Sequence, residues 1–207
     1  MMITGWRLTQ RLLVLLAVLA ALAALSGCAS DQAKRAAIEA VNKAFQADYE
    51  AMLADRGQRS YKVRRGDAFV ALHATMSRLG MRITDQDPDI GTLTAVAPAP
   101  LPLNAQEWHR AAEVDLPRMR AIARPHVGLL AETILFAPEG LEIVINASVS
   151  AVDGGSEVAL TTRMREVAPP RGDLPRREYP PPTGVQIALD KIWRQFEQQL
   201  RQAGRLP

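Results

Sequence analysis

Cysteine is nearly absent from these 207 residues: Cys28 stands alone. No disulfide can form within the chain, and a metal centre built from several thiolates is excluded. Histidine is almost as scarce, and His73, His109 and His126 share no ligand spacing such as i, i+4 with a helper acid. Aromatic residues make up 5% of the chain, so the places where they gather carry weight. Neither sign of charge dominates, with 25 Lys and Arg against 22 Asp and Glu for a formal charge of +3. That balance gives no reason to expect nucleic acid, whose partners carry a clustered basic face. There is no glycine-rich phosphate loop, no Gly-x-Ser-x-Gly elbow and no acid pair with assignable roles. The sequence therefore predicts no enzyme, no cofactor and no metal site.

Long apolar runs are also missing, with one exception. Residues 12–25 are unbroken Leu, Val and Ala, preceded by Arg7 and Arg11 without an acid and followed by Ser26-Gly27-Cys28. A basic start, an apolar stretch of this length and small residues at its end are the three parts of a secretory signal. The run falls short of the about 20 apolar residues a membrane-spanning helix needs. Leu25-Ser26-Gly27-Cys28 resembles the lipobox of bacterial lipoproteins. The resemblance implies cleavage before Cys28, diacylation of its thiol and acylation of the new amino terminus. Two or three acyl chains hold a protein on a membrane where one binds marginally. Aspartate after the cysteine favours inner-membrane retention in that family; here Ala29 and Ser30 follow, which implies the outer membrane, on its periplasmic face. Without residues 1–27 the chain loses Arg7 and Arg11, and its formal charge falls from +3 to +1. The remainder is long enough for one domain with its own core. The division expected is a cleaved signal over 1–27, a helical spacer over 28–57 and one α+β domain over 58–207.

Asp31 is a candidate N-cap for a helix reaching about Asp55 and stopped by Gly57, with Ile38, Val41, Phe45, Tyr49 and Met52 as its apolar stripe. Such a helix either packs on the flank of the domain or stands as a stalk. Residues 60–64 read as a first strand, and a second helix starts at Asp67, with Phe69, Leu72, Met76 and Leu79 on one face and Gly80 as its stop. Residues 82–84 and 91–96 form a hairpin around Asp87-Pro88-Asp89, which completes a β-α-β-β unit. Pro98, Pro100 and Pro102 predict a stiff, polyproline-like connection. Asn104 and Glu107 form a capping box for a helix to about Val114 that turns Trp108 inward; Pro117 and Pro125 then predict irregular chain over 118–127.

Residues 132–136 read as a strand leading to a turn at Pro138-Glu139-Gly140. Two longer strands follow. Leu141, Ile143, Ile145, Ala147 and Val149 alternate with polar residues, as do Val158, Leu160, Thr162 and Met164, and Asp153-Gly154-Gly155-Ser156 joins the runs. Six prolines over 168–182 make a loop. A last helix, with a capping box at Thr183 and Gln186, carries Val185, Leu189, Ile192, Trp193, Phe196 and Leu200 as a broad apolar face that closes over the sheet.

Several motifs resolve into plainer features. Acids at alternate positions over 85–91 suggest calcium, but Ile90 and Val96 stand where an EF-hand loop needs glycine and glutamate, so a polar hairpin turn is expected. Arg-Gly-Asp occurs at 65–67 and 171–173; the first is read as a helix start with Asp67 as cap. Arg163, Arg165, Arg171, Arg176 and Arg177 gather around the proline-rich loop, offset by Glu166, Asp173 and Glu178. They are either a solvated loop or a contact for an anionic partner.

The order of elements, an antiparallel sheet covered on one face by helices, with a lipobox and an N-terminal helix before it, resembles envelope lipoproteins with a helix-grip domain, of the BamC type in outer-membrane assembly. The resemblance implies a non-catalytic accessory that docks on another envelope protein. An alternative of a different class is a lipoprotein that encloses a lipid or other apolar ligand. A filled core between Trp193 and Phe196 and the strand residues Ile143 and Ile145 argues for the first, and a cavity there for the second.

Overall fold

The computed structural model describes residues 30–167 and 174–207. Cys28 and the lipobox lie outside the described residues, as do Arg171 and Asp173. The fold is α+β. One antiparallel five-stranded sheet, in the order β1-β5-β4-β3-β2, carries helices on one face. Helix α1 spans Asp31–Arg56, β1 Gln58–Tyr61, α2 Arg65–Arg78, β2 Arg82–Asp87, β3 Thr92–Pro98, α3 Ala105–Val127, β4 Leu141–Val152, β5 Gly155–Glu166 and α4 Pro182–Gln202.

Strand alternation places the core. Leu93, Ala95 and Ala97 of β3, Ile145, Ala147 and Val149 of β4, and Val158, Leu160 and Met164 of β5 all point to the helical face and are buried. The opposite face is polar. There the Thr94 hydroxyl donates to Asn146 Oδ1 at 3.0 Å, and Arg165 Nε donates to Glu142 at 3.0 Å. Over the core face lie α2, through Phe69, Leu72 and Met76, and α4, through Val185, Leu189, Ile192, Trp193, Phe196 and Leu200, all of them buried. The space between Trp193 and Phe196 and the strand residues Ile143 and Ile145 is filled by these side chains in one continuous cluster. Aromatic packing adds geometry to burial: Tyr61 meets Phe196 edge to face at 5.1 Å, and the Arg59 guanidinium lies over the Trp193 ring at 5.0 Å.

Helix α1 lies against the domain, so its flank packing is observed and Tyr49 belongs to the main core. Its N-cap is Ser30, whose hydroxyl accepts from the Ala33 N–H, and Asp31 instead pairs with Lys34 in the first turn. Strand β1 covers only residues 156–159 of β5, which leaves the rest of that edge open. Helix α1 closes it: Gly57 O accepts from Leu160 N–H at 2.7 Å and the Tyr49 hydroxyl accepts from Thr162 N–H at 3.1 Å. At its far end the Arg56 carbonyl accepts from the Trp193 indole at 2.9 Å.

Several expected elements take other forms. The first strand sits at 58–61, two residues earlier, and α2 begins at Arg65 without a side-chain cap, Asp67 pairing with Arg64 and Arg205 instead. The segment after β3 is two successive turns, in which Leu101 N–H donates to Pro98 O and Leu103 N–H to Pro100 O, and both Ala99-Pro100 and Leu101-Pro102 peptides are cis. The capping box at Asn104 forms in both directions, but its helix runs on to Val127 through Pro117 and Pro125. Both prolines are exposed, so their rings meet water and not a packed neighbour, and the carbonyls they leave unpaired stay hydrated. Residues 132–136 form no strand. Both edges of β4 are taken by β3 and β5, so Gly128–Thr133 is a 3-10 turn and an extended stretch follows it. The hairpin at 87–91 forms as expected: Asp87 Oδ1 accepts from Asp89 and Ile90 N–H, and Gly91 has φ +87 with Val149 O only 2.2 Å from where a Cβ would stand.

Candidate apolar groove between the first and third helices

Helices α1 and α3 pair in opposite directions. Arg118 of α3 is ion-paired with Asp48 of α1, and further along Ala123 packs with Ala37. That contact is made by small side chains, and the same two alanines also line the space that the helices enclose. The space between them is an apolar cavity of about 170 Å³ that opens to solvent. Its floor is Leu141 and Met164, the ends of β4 and β5; α1 contributes Ala37, Ile38, Val41, Asn42 and Phe45, and α3 contributes Met119 and Ala123. Residues 134–137 form one wall, and Arg177, Tyr179 and Pro181 the other.

Hydrogen bonds hold both walls. Trp108 stacks on Phe136 with ring centres 4.5 Å apart and donates its indole N–H to Phe136 O at 3.1 Å, and Arg120 Nη2 donates to Ile134 O at 3.1 Å. On the other side Asn42 donates to Arg176 O at 3.0 Å and accepts from Glu178 N–H at 3.3 Å. Arg177 reaches away to Glu166 at 2.5 Å. Asn42 and Arg177 are thus engaged elsewhere, and the surface left to an occupant is mostly apolar.

A second buried arrangement fixes α4 against α3. The expected capping box at Thr183 and Gln186 does not form, and the helix starts two residues earlier, with Pro181 in the N-cap place and Pro182 as its first residue. The cap comes from another helix: Asp115 of α3 accepts the Thr183 N–H at 2.9 Å and the Thr183 hydroxyl at 2.7 Å. Burial pushes the Asp115 carboxyl above its usual value, against the pull of these hydrogen bonds and of Arg118. Glu107 behaves oppositely. Burial pushes it up, but its contact with Lys191 at 2.7 Å and the Asn104 N–H outweigh that and hold it below the usual carboxylate range. Tyr61, half-buried beside Glu197, is pushed up to about 12 by its burial and by that carboxylate. Each group has a structural partner that accounts for its shift.

The other sequence candidates do not converge. His109 faces Glu113 on an exposed helix turn, and among the described residues no group of three His, Cys, Asp or Glu could hold a metal ion. Of the arginines near the proline-rich loop, Arg165 pairs with Glu142 and Arg177 with Glu166, so these two do not converge on one site. Sequence reasoning placed Ile38, Val41 and Phe45 on one stripe but missed the α3 half of the groove. The signal was there: Trp108, Ala111, Asp115, Met119 and Ala123 keep a spacing of three or four straight through Pro117. No family model, curated protein or solved structure matches this chain.

Proposed function

We propose that this protein is a lipid-anchored envelope lipoprotein, held by acyl chains on Cys28 at the periplasmic face of the outer membrane, that acts as a non-catalytic interaction module. The groove between α1 and α3 receives an apolar side chain of another envelope protein. The size of the groove carries the reading. Ligand pockets that enclose a whole small molecule span about 300–1,000 Å³, whereas a dry apolar cavity of about 150 Å³ accepts a benzene-sized group. At about 170 Å³ this one suits a single aromatic or branched side chain, the anchor of a protein contact. The filled core beneath α4 supports the same choice, because a carrier would keep its space there. The likeness in element order to helix-grip envelope lipoproteins of the BamC type points the same way.

The apolar lining also favours a second reading, in which the groove takes the end of a lipid chain. The two part in one experiment. A photo-crosslinking amino acid at Ile38 of the full-length protein, activated in the native envelope, should capture one envelope protein in defined stoichiometry, and Met119→Trp, which fills the groove, should abolish the adduct while the fold persists by circular dichroism. Capture of lipid with no protein overturns the interaction module in favour of the carrier.

A further inference from the structure

The most exposed large apolar side chain of the described residues is Leu129, 85% exposed, and its neighbour Leu130 is 42% exposed. Both stand on the 3-10 turn that follows α3. Single exposed leucines are ordinary, but two adjacent ones on one turn make a small contiguous apolar patch, the kind of surface that marks a contact with protein or membrane. Their position says which. Because α1 and α3 are antiparallel, with Arg118 at Asp48 and Ala123 at Ala37, the end of α3 and the turn after it lie beside the first turns of α1. The turn is fastened there by Ala131, which packs with Ala37 and Ala123. Helix α1 is capped by Ser30, about 10 Å from Ala37 at 1.5 Å per residue, and Cys28 is two residues before that cap.

We infer that Leu129 and Leu130 form a membrane-inserting wedge, so that the domain touches the lipid surface at a second point beside its acylated amino terminus. This rests on the reading of Cys28 as the lipid attachment site. The occupant is lipid and not protein because the turn stands at the end of the molecule where the anchor leaves it. Of the basic groups at this end Lys34 pairs with Asp31 and Arg124 with Glu132, while Arg35 stands exposed beside them; the apolar part of the contact is made by the two leucines. A tether alone lets a domain tumble over the membrane. A wedge next to the tether fixes its orientation, with the groove held near the bilayer and the hairpin turns at 88–91 and 153–154 directed away from it.

The test uses the full-length lipoprotein carrying Leu129→Cys, reconstituted in vesicles of phosphatidylethanolamine and phosphatidylglycerol and labelled with a polarity-sensitive fluorophore. Acylation consumes the Cys28 thiol, so the label is unique. Ile90→Cys, at the far end of the sheet and 69% exposed, is the control. The label at 129 should shift to the blue and be quenched by lipid-borne quenchers, and the label at 90 should do neither. A label at 129 that stays in water, or that shifts without lipid quenching because protein covers it, overturns the wedge. Intact mass separates this from the anchor: an acylated chain with an aqueous label loses the wedge alone, whereas an unacylated, doubly labelled chain fails the lipoprotein reading and, with it, the wedge that rests on it.

Discussion

Trp193 shows what one residue carries. It is fully buried, packs edge to face on Phe196 at 6.2 Å and caps the Arg56 carbonyl with its indole N–H, so it joins α4, the sheet and the end of α1. Trp193→Ala should cost about 3–5 kcal/mol in chemical denaturation, from lost burial and the cavity left behind. Asp115 and Glu107 make opposite predictions for pH. The Asp115 carboxyl is raised in the folded state, so the native protein holds its proton longer than the unfolded chain does. Stability falls as pH rises from the usual value of 3.8 through the raised one, and the whole cost is present above it. Glu107 is lowered, so its contribution is complete above the usual 4.5 and is lost as pH falls toward the folded value. Relative to Asp115→Asn the wild type should lose stability with rising pH across its interval, and relative to Glu107→Gln it should lose stability with falling pH. Denaturant titrations of the three proteins across the acid range read both slopes, and slopes of one sign would contradict these environments.

At the scale of elements, helices finish what the sheet leaves incomplete. Strand β5 is an edge beyond residue 159, and the Tyr49 hydroxyl supplies the acceptor that a neighbouring strand would have given Thr162 N–H. Tyr49→Phe keeps the ring but orphans that buried donor, and should cost about 1–3 kcal/mol with faster amide exchange at Thr162. Helix α3 is the converse case, an element that forms despite its local chemistry. Pro117 removes the hydrogen bond to the Glu113 carbonyl, so Pro117→Ala should raise the unfolding free energy by about 1–3 kcal/mol with the groove intact. A loss of stability on that change would mean the ring is needed for the path of the helix.

The molecule as a whole has two ends. The open ends of β4 and β5 at Leu141 and Met164, the groove, the first turns of α1 and the turn bearing Leu129 gather at one, and the hairpin turns at the other. This polarity gives the proposed module its logic: an anchor, a wedge and a groove at one end place a partner's contact close to the bilayer.

What could be read in advance follows from where each signal resides. The α+β class, the burial of Val185 through Leu200 on α4, the long hairpin and the Asn104 capping box rest on periodicity and on contacts within a few residues, so the amino-acid order determined them by itself. The likeness of residues 25–28 to a lipobox is likewise a property of sequence. Tertiary structure decided the rest. Whether 132–136 paired as a strand depended on a free edge of β4, and there was none; whether α3 passed two prolines depended on which side of it faced water; and α4 is capped by Asp115, 68 residues before its Thr183 partner. The groove is the extreme case. It belongs to no segment, because residues of two helices, the ends of two strands and two connecting stretches must come together to enclose it.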